Sequence, residues 1–460
     1  MKLDLKELIG IAASTRGNIE STVIQGVTKD SRENSPQSLY IPIAGEKFDG
    51  HNFLLQAIEQ GAVASLWQEG TPIPQELDPA FPLLIVKDTI EALQQAARVF
   101  LKKVKPVVIG VTGSNGKTTT KDLLEAVVST SFKTHKTKGN YNNHIGLPLT
   151  ILSMDNDTQV IILEMGMSNF GEISLLSKLS QPDLAIVTNI GESHIEYLGS
   201  REGIAKAKLE IKDGLKEGGL LIVDGDEPLL SHLSSPNVLK CGYDEDCTVK
   251  IVNQEGDEDG FTFGLEGEST IYSLPLLGTH NVKNAAYAIA VGHYLNIEDS
   301  AINEGLKNIT LTNMRLEKYR GQHGALLIND AYNASPTSMI AAIQAVKDLP
   351  NYKKKVLVLG DMYELGPSEE EMHRGVAAHI DETISEVITV GEKGKWIGEE
   401  IKKKNIPGQN VSVFLTKEEA AGAISSLLSE DTVVLFKASR GMALESIVKP
   451  FIDDVQEAGK

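Results

Sequence analysis

The sequence predicts an α/β protein of three domains. These are a small mixed α/β N-terminal domain, a central domain with a mainly parallel sheet, and a C-terminal Rossmann-like, doubly wound domain. Three observations carry this reading. At 460 residues the chain exceeds the usual size of one domain. β-Branched apolar runs alternate with helical patterns from about 105 to 313, and again from 325 onward. Between the two series, Thr310–Glu317 breaks the alternation. The expected boundaries are therefore 1–104, 105–313 and 314–460.

In the first domain, Val23–Val27 and Ser38–Ile43 read as strands, and Phe53–Gln60 and Ile90–Val104 as helices. Two polar loops lie between them, Thr28–Arg32 and Gly45–His51; by composition alone they are solvated turns.

The second domain opens on Val107–Val111, a run suited to a buried parallel strand. Gly113, Ser114, Asn115 and Gly116 form a turn, followed by Lys117, Thr118 and a helical pattern from Thr119 to Val128. Strand, glycine turn, Lys-Thr and helix make a phosphate cradle. Backbone N–H groups and the helix N-terminus face the anion, Lys117 reaches the outer phosphates, and the Thr118 hydroxyl can ligate Mg²⁺. The generic spacing wants a first glycine at 111, where this chain has Val. The strand Val160–Leu163 ends at Glu164, and Leu184–Val187 ends in Thr188–His194. Ligands of open α/β sheets sit at such strand ends, so Glu164 reads as a metal-site acid. Spacing leaves His194 open between ligand and bystander, since His is an unusual partner for Mg²⁺. Ser200–Ile211 reads as a helix with Lys206 and Lys208 on different faces, by itself a solvated basic helix. Gly278–Asn281 reads as a loop feeding the helix Ala285–Tyr294; Asn281 is either its cap or a ligand.

In the third domain strands are expected at Leu326–Asn329, Val356–Leu359, Val387–Val390, Val411–Phe414 and Val433–Phe436. Helices are expected at Pro336–Leu349, Ser368–Thr383, Lys417–Leu428 and Met442–Val455. No G-x-G-x-x-G occurs, so a dinucleotide is not implied.

Composition narrows the partners. Lys and Arg total 44 against 63 for Asp and Glu, a net charge of −19, which argues against nucleic acid or an anionic membrane. Cys241 and Cys247 are the only cysteines and lack metal-site spacing, which fits a reducing compartment. No signal peptide or membrane span is visible, so a cytoplasmic protein is expected.

Thr112–Thr119 resembles the phosphate loop of the Mur ligases and the related folylpolyglutamate synthases, which also lack the first glycine. Gly139–Pro148, Thr188–His194 with the Ala-Lys-Ala-Lys helix, Arg315-Leu-Glu, Asp330–Pro336, Leu359–Gly366 and Lys437–Arg440 resemble further motifs of the Mur ligase family. The resemblance covers essentially the whole chain. It implies that the central domain is a P-loop ATPase domain. It also implies an ATP- and Mg²⁺-dependent amide ligase of peptidoglycan precursor synthesis. The third-domain motifs point to a member that joins D-alanyl-D-alanine to UDP-N-acetylmuramoyl-tripeptide through an acyl phosphate. On that resemblance UDP falls near Ser31, Arg32, Asp49, Gly50 and His51. ATP falls on Gly113–Thr119, Asn281, Arg315 and Asp330. Asn142 and Asn143 face the muramoyl side, with Tyr332, Asn333, Ser335, Lys437, Ser439 and Arg440 toward the peptide substrates. Thr118, Glu164, His194 and Lys208 as a carbamate form the metal set, with Lys206 the alternative. Lys117, Lys208, His194 and Arg315 carry the chemistry. A monomer is expected. The competing readings are a sister ligase adding a single amino acid, a nucleotide hydrolase driving a partner, and a non-catalytic nucleotide binder.

Overall fold

The computed structural model describes residues 1–453. Its largest sheet has nine strands. From one edge they run 271–274, 261–265, 249–256, 238–242, 220–224, 184–187, 107–112, 160–164 and 134–136. The pairs from 238–242 to 134–136 are parallel, while 249–256, 261–265 and 271–274 form an antiparallel meander at one end. Val107–Thr112 lies between Val160–Glu164 and Leu184–Val187, with Glu164 opposite Val111 and Val187 opposite Thr112. The chain leaves this strand first to one side and then to the other. A crevice therefore opens beyond its carboxyl end, where α/β sheets bind ligands.

A five-stranded sheet holds the N-terminal part, in the order 14–16, 83–86, 62–68, 38–40 and 26–28. The expected strand Val23–Val27 is in fact two. Val23–Ile24 pairs with Leu3–Asp4, whereas Gly26–Thr28 joins the five-stranded sheet. Gln25 turns the chain between them, its N–H donating to the Gln37 carbonyl (2.7 Å). The helix Thr89–Val104 starts on Asp88, whose carboxylate accepts the N–H groups of Ile90 and Glu91 (2.8 Å each). Such a cap contributes about 1 kcal/mol. Leu93 and Phe100 of this helix are fully buried in a core that continues into Leu147, Ile173 and Leu176 of the nine-stranded unit. At roughly 2 kcal/mol per buried large apolar side chain, this continuity fastens the first two units together.

The third sheet runs 317–320, 326–329, 432–437, 354–359, 386–390 and 410–414, parallel except for its first strand. Two separate apolar clusters fill its faces. Three expected helices are corrected here. Ser368–Thr383 is helical only over Glu369–Val376, then tightens to a short 3-10 turn. Met442–Val455 is broken: Ala443 adopts a left-handed conformation (φ +47°), and short turns flank Glu445–Val448. Residues 454–455 of that expectation lie outside the described residues. The loop expected at Gly278–Asn281 is the first turn of the helix Thr279–Tyr294, so Asn281 sits inside the helix and is not its cap.

Candidate active site

A cavity of about 810 Å³ lies at the crevice, walled by the nine-stranded unit on one side and the third unit on the other. Its floor is the glycine turn. Gly113 (φ +152°) and Gly116 (φ +78°) hold backbone conformations that L side chains avoid, and a Cβ on Gly113 would collide with the Thr188 hydroxyl. The turn leads into the helix Lys117–Val128, and its Ser114 and Asn115 N–H groups donate to Asn189, to the carbonyl (3.1 Å) and to Oδ1 (2.9 Å). Lys117 folds back over it, donating from Nζ to the carbonyls of Gly113 (2.7 Å) and Ser114 (3.3 Å). Burial pulls the Lys117 pKa below its ordinary value; the Arg315 charge adds to this and Glu164 opposes it.

Glu164, at the neighbouring strand end, is buried yet fully engaged. One oxygen accepts the Thr118 hydroxyl (3.0 Å) and the other the Asn142 amide (2.9 Å). Lys208 is only 2% exposed, whereas Lys206 is exposed and lies 5.8 Å over the Phe170 ring. Burial, and then the charge of Lys117, drives the Lys208 pKa well below the ordinary lysine range. His194 lines the cavity with a left-handed backbone (φ +63°). Its Nδ1 approaches a Glu364 carboxylate oxygen at 2.6 Å, without hydrogen-bond alignment.

The third unit supplies the opposite wall. Arg315 donates to Thr118 Oγ1 (3.0 Å) and stacks over Tyr332, its guanidinium carbon 4.1 Å from the ring centre. Lys437 pairs with Asp330 (2.6 Å) and with the Asn333 carbonyl (3.1 Å). Ser335 caps the helix Pro336–Lys347 and donates to Asn115 across the cleft (3.3 Å). Of the eight buried side-chain polar atoms without a partner among the described residues, four line this cavity: Ser114 Oγ, Asn115 Nδ2, His194 Nδ1 and Arg315 Nε. Such atoms are costly unless something polar meets them, so the cavity suits a highly polar ligand.

Most of the expected residues thus converge. Asn143, Thr119 and Asn281 also line the cavity, with the Asn281 amide held by the Leu277 carbonyl (2.8 Å). Lys208, Ser439 and Arg440 do not line it: Lys208 is buried in its helix, Ser439 accepts the N–H of Tyr363 (3.0 Å), and Arg440 pairs with Glu445 (2.7 Å). The N-terminal set stands apart as well. Ser31 donates to Gln56 and Arg32 pairs with Asp30. Gly50 passes close to the Pro42–Ile43 backbone. His51 is buried between Asp49 (2.6 Å), the Gln68 N–H (3.2 Å) and an edge-on contact with Trp67, all structural contacts.

Several cavity residues were not foreseen. Lys283 bridges Asp224 (2.7 Å) and Asp226 (3.0 Å). Asp224 ends the strand Leu220–Asp224, so the strand-end rule that singled out Glu164 also applied to it. His280 lies beside Asn281, and Glu192 accepts from the Thr337 hydroxyl (2.7 Å) and backbone (3.1 Å) across the cleft.

Comparison with known proteins agrees with this architecture. Family models match in sequence order: "Mur ligase family, catalytic domain" at residues 23–101, "Mur ligase middle domain" at 111–292, and "Mur ligase, glutamate ligase domain" at 314–440. A Bacillus subtilis (strain 168) protein named UDP-N-acetylmuramoyl-tripeptide–D-alanyl-D-alanine ligase is 47% identical over 98% of this chain and 99% of its own. The chain belongs to the Mur ligase family. Among solved structures, MurF from Acinetobacter baumannii superposes with a TM-score of 0.86 at 29% identity, covering 98% of each chain. A Mur ligase from Thermotoga maritima, MurF in complex with ADP, superposes with a TM-score of 0.81 at 27% identity over 95% of this chain and 99% of that one.

Proposed function

We propose that this chain joins D-alanyl-D-alanine to UDP-N-acetylmuramoyl-tripeptide, with ATP converted to ADP and phosphate. The observation that carries the reading is the phosphate cradle of one unit facing Arg315, Asp330 and Lys437 of another across a single polar cavity. We read 1–104 as the UDP-sugar domain, 105–313 as the ATP domain and 314–460 as the lid-like third domain.

The chemistry follows from charge. The tripeptide carboxylate must attack the γ-phosphorus of ATP, and two anions repel. Lys117, released from the Gly113 and Ser114 carbonyls, neutralises the outer phosphates, and Arg315 reaches them from the other wall. Asn281 lies toward the base and Asp330 toward the ribose. The acyl phosphate formed with ADP is prone to hydrolysis, so closure of the third domain must exclude water. The dipeptide amine then adds to the acyl carbon and phosphate leaves. Asn142, Asn143, Tyr332, Asn333, Ser335 and Lys437 bind and orient the two peptides, with Ser439 and Arg440 a shell behind them. Ser31, Arg32 and the Asp49–His51 turn shape the UDP side.

Mg²⁺ fits the donor set. A buried carboxylate and a hydroxyl 3.0 Å from it lie beside the cradle, and His194, whose Nδ1 faces Glu364 at 2.6 Å, lines the same cavity, so Thr118, Glu164 and His194 would hold the ion. Bound there, it would supply positive charge to the phosphate oxygens. Lys208 joins as a carbamate. Its depressed pKa favours the neutral amine, whose nitrogen adds to CO₂ with loss of a proton, giving an anionic oxygen ligand. We place the enzyme in the cytoplasm as a monomer. No helix among the described residues is long and apolar enough to cross a membrane.

The test incubates the purified chain with ATP, Mg²⁺ and UDP-muramoyl-tripeptide, and follows phosphate release and product mass with and without D-Ala-D-Ala. Phosphate release that depends on the dipeptide and yields the amide is expected. Hydrolysis of ATP with no amide product would overturn the reading in favour of a nucleotide hydrolase.

A further inference from the structure

Lys121 is the most conspicuous charged group that the mechanism leaves unused. It sits on the cradle helix one turn beyond Lys117, and it is only 1% exposed. Lysine is almost never fully buried without a partner, and a second cation four residues from Lys117 on one helix repels it. The compensating charges are two carboxylates. Lys121 Nζ lies 3.5 Å from Asp122 Oδ1 and 4.0 Å from Glu164 Oε2, the same oxygen that accepts the Thr118 hydroxyl. Glu164 is further fixed by Asn142 at its other oxygen and by the Thr137 hydroxyl, which accepts its N–H (3.0 Å). A cation thus stands directly behind the acid that faces the cavity.

Asp122 faces the other way. It too is buried, with Oδ1 shared between Lys121 and Lys136 (2.8 Å). Its Oδ2 accepts the N–H of Thr312 (2.8 Å), 190 residues along the chain. Thr312 belongs to the segment joining the nine-stranded unit to the third unit. Three residues later Arg315 returns to Thr118 (3.0 Å) and stacks on Tyr332. The contacts close a ring, from Thr118 through Glu164, Lys121, Asp122 and the linker to Arg315 and back to Thr118. One helix therefore carries the phosphate cradle, a cation behind the metal-side acid, and the anchor of the linker that delivers the opposing arginine.

We propose that Lys121 and Asp122 are a positioning pair. Lys121 backs Glu164 from 4.0 Å and keeps it aimed at the cation site, and Asp122 fastens the interdomain linker so that Arg315 meets the phosphates. The Lys121 half rests on the ligase reading above; the Asp122 half is a statement about the linker alone. Neither group touches substrate, so both act through others. Removing the Lys121 charge then weakens the metal-dependent part of nucleotide binding and spares the rest. Removing the Asp122 acceptor frees the linker, whereas an amide oxygen in its place still accepts the Thr312 N–H.

The experiment uses the full chain in two measurements. Calorimetry of ADP binding, with Mg²⁺ and with chelator, is expected to show Lys121→Met losing at least tenfold in affinity with Mg²⁺ while binding as wild type in chelator. Lys121→Arg, which keeps the charge, should recover most of the loss, and Lys121→Gln substitutes for the Met variant if that one does not fold. Amide hydrogen exchange across residues 310–316 is expected to accelerate at least tenfold in Asp122→Ala and to stay near wild type in Asp122→Asn. Equal losses with and without Mg²⁺ would reduce Lys121 to a folding role, and unchanged linker exchange in Asp122→Ala would remove the anchor; either overturns the pair. A wild-type chain that binds no ADP overturns the ligase reading and the Lys121 half with it. Normal wild-type binding beside an unaltered Lys121→Met overturns the inference alone.

Discussion

Lys117 is held by two carbonyls of its own loop, weak partners for an ammonium whose pKa burial already depresses. A triphosphate is a far better partner, so the residue is poised to exchange. Lys117→Ala is expected to lower ligation by about 10² to 10³, the usual scale for one charge-stabilising group, with an unchanged circular dichroism spectrum. Near-normal turnover would remove it from the cradle. Lys208 is the sharper case. Its burial separates it from Lys206, which spacing alone left as a neighbour on another face of the same helix. Lys208→Ala should be inactive and partly restored by acetate, and ¹³CO₂ should give a carbamate carbon signal in wild type only. Full activity of the mutant without acetate would end the carbamate role. Single residues were legible here where local geometry decides their place: the glycine turn dictates where Lys117 and Thr118 lie. They were illegible where a distant segment decides, as for Glu192, whose partner Thr337 is 145 residues away. His51 shows the converse: composition alone made its loop a solvated turn, yet the ring is buried against Asp49, Gln68 and Trp67, contacts that only the folded chain brings together.

At the level of elements, the strands of the parallel sheets were readable because their buried runs are short, β-branched and bounded by glycine or polar turns. Helix ends were less so. The helix Thr279–Tyr294 starts six residues before the expected Ala285, because Asn281 and Lys283 have polar partners, the Leu277 carbonyl and Asp224, that composition cannot reveal. The antiparallel meander and the break at Ala443 likewise depend on tertiary contacts. His280 makes the first turn of its helix sensitive to acid. Burial lowers its pKa to about 4, with Lys437 and Lys283 assisting and Asp330 opposing. An unfolded chain takes up this proton near the ordinary value of about 6.5. Between those two values the unfolded state binds more protons, so stability falls as the pH drops from 6.5 toward 4 and is fully present above 6.5. His280→Gln should therefore lose less melting temperature than wild type between pH 7 and pH 5. Parallel pH profiles for the two proteins would show that His280 is not the responsible group.

Across the whole molecule, apolar contact is unevenly shared. The first two units have a continuous core through the Thr89–Val104 helix, while the third is filled by two clusters of its own side chains, one of which Leu277 and Ile195 of the central unit join. Its attachments to the central unit at the cavity are mainly polar and few: Arg315 with Thr118, Ser335 with Asn115, Thr337 with Glu192, and Glu364 with His194. Interfaces of that kind permit relative movement. Several of the bridging side chains are also those expected to meet nucleotide or metal, so ligand can replace the contacts that hold the wall in place. The hinge is expected at the break in alternation at Asn313–Glu317, where Met314 (φ +63°) and Leu316 (φ +49°) have left-handed backbone. Closure of such a lid is common where an intermediate must be kept from water. Small-angle scattering of the free chain should thus give a larger radius of gyration than the chain with a non-hydrolysable ATP analogue, Mg²⁺ and UDP-muramoyl-tripeptide. Glu192→Ala should enlarge the free chain further, because it unpins the helix Pro336–Lys347 from the central unit while leaving both cores intact. Superimposable profiles for all three samples would mean that the third unit is fixed, and that water is kept from the acyl phosphate by some means other than closure.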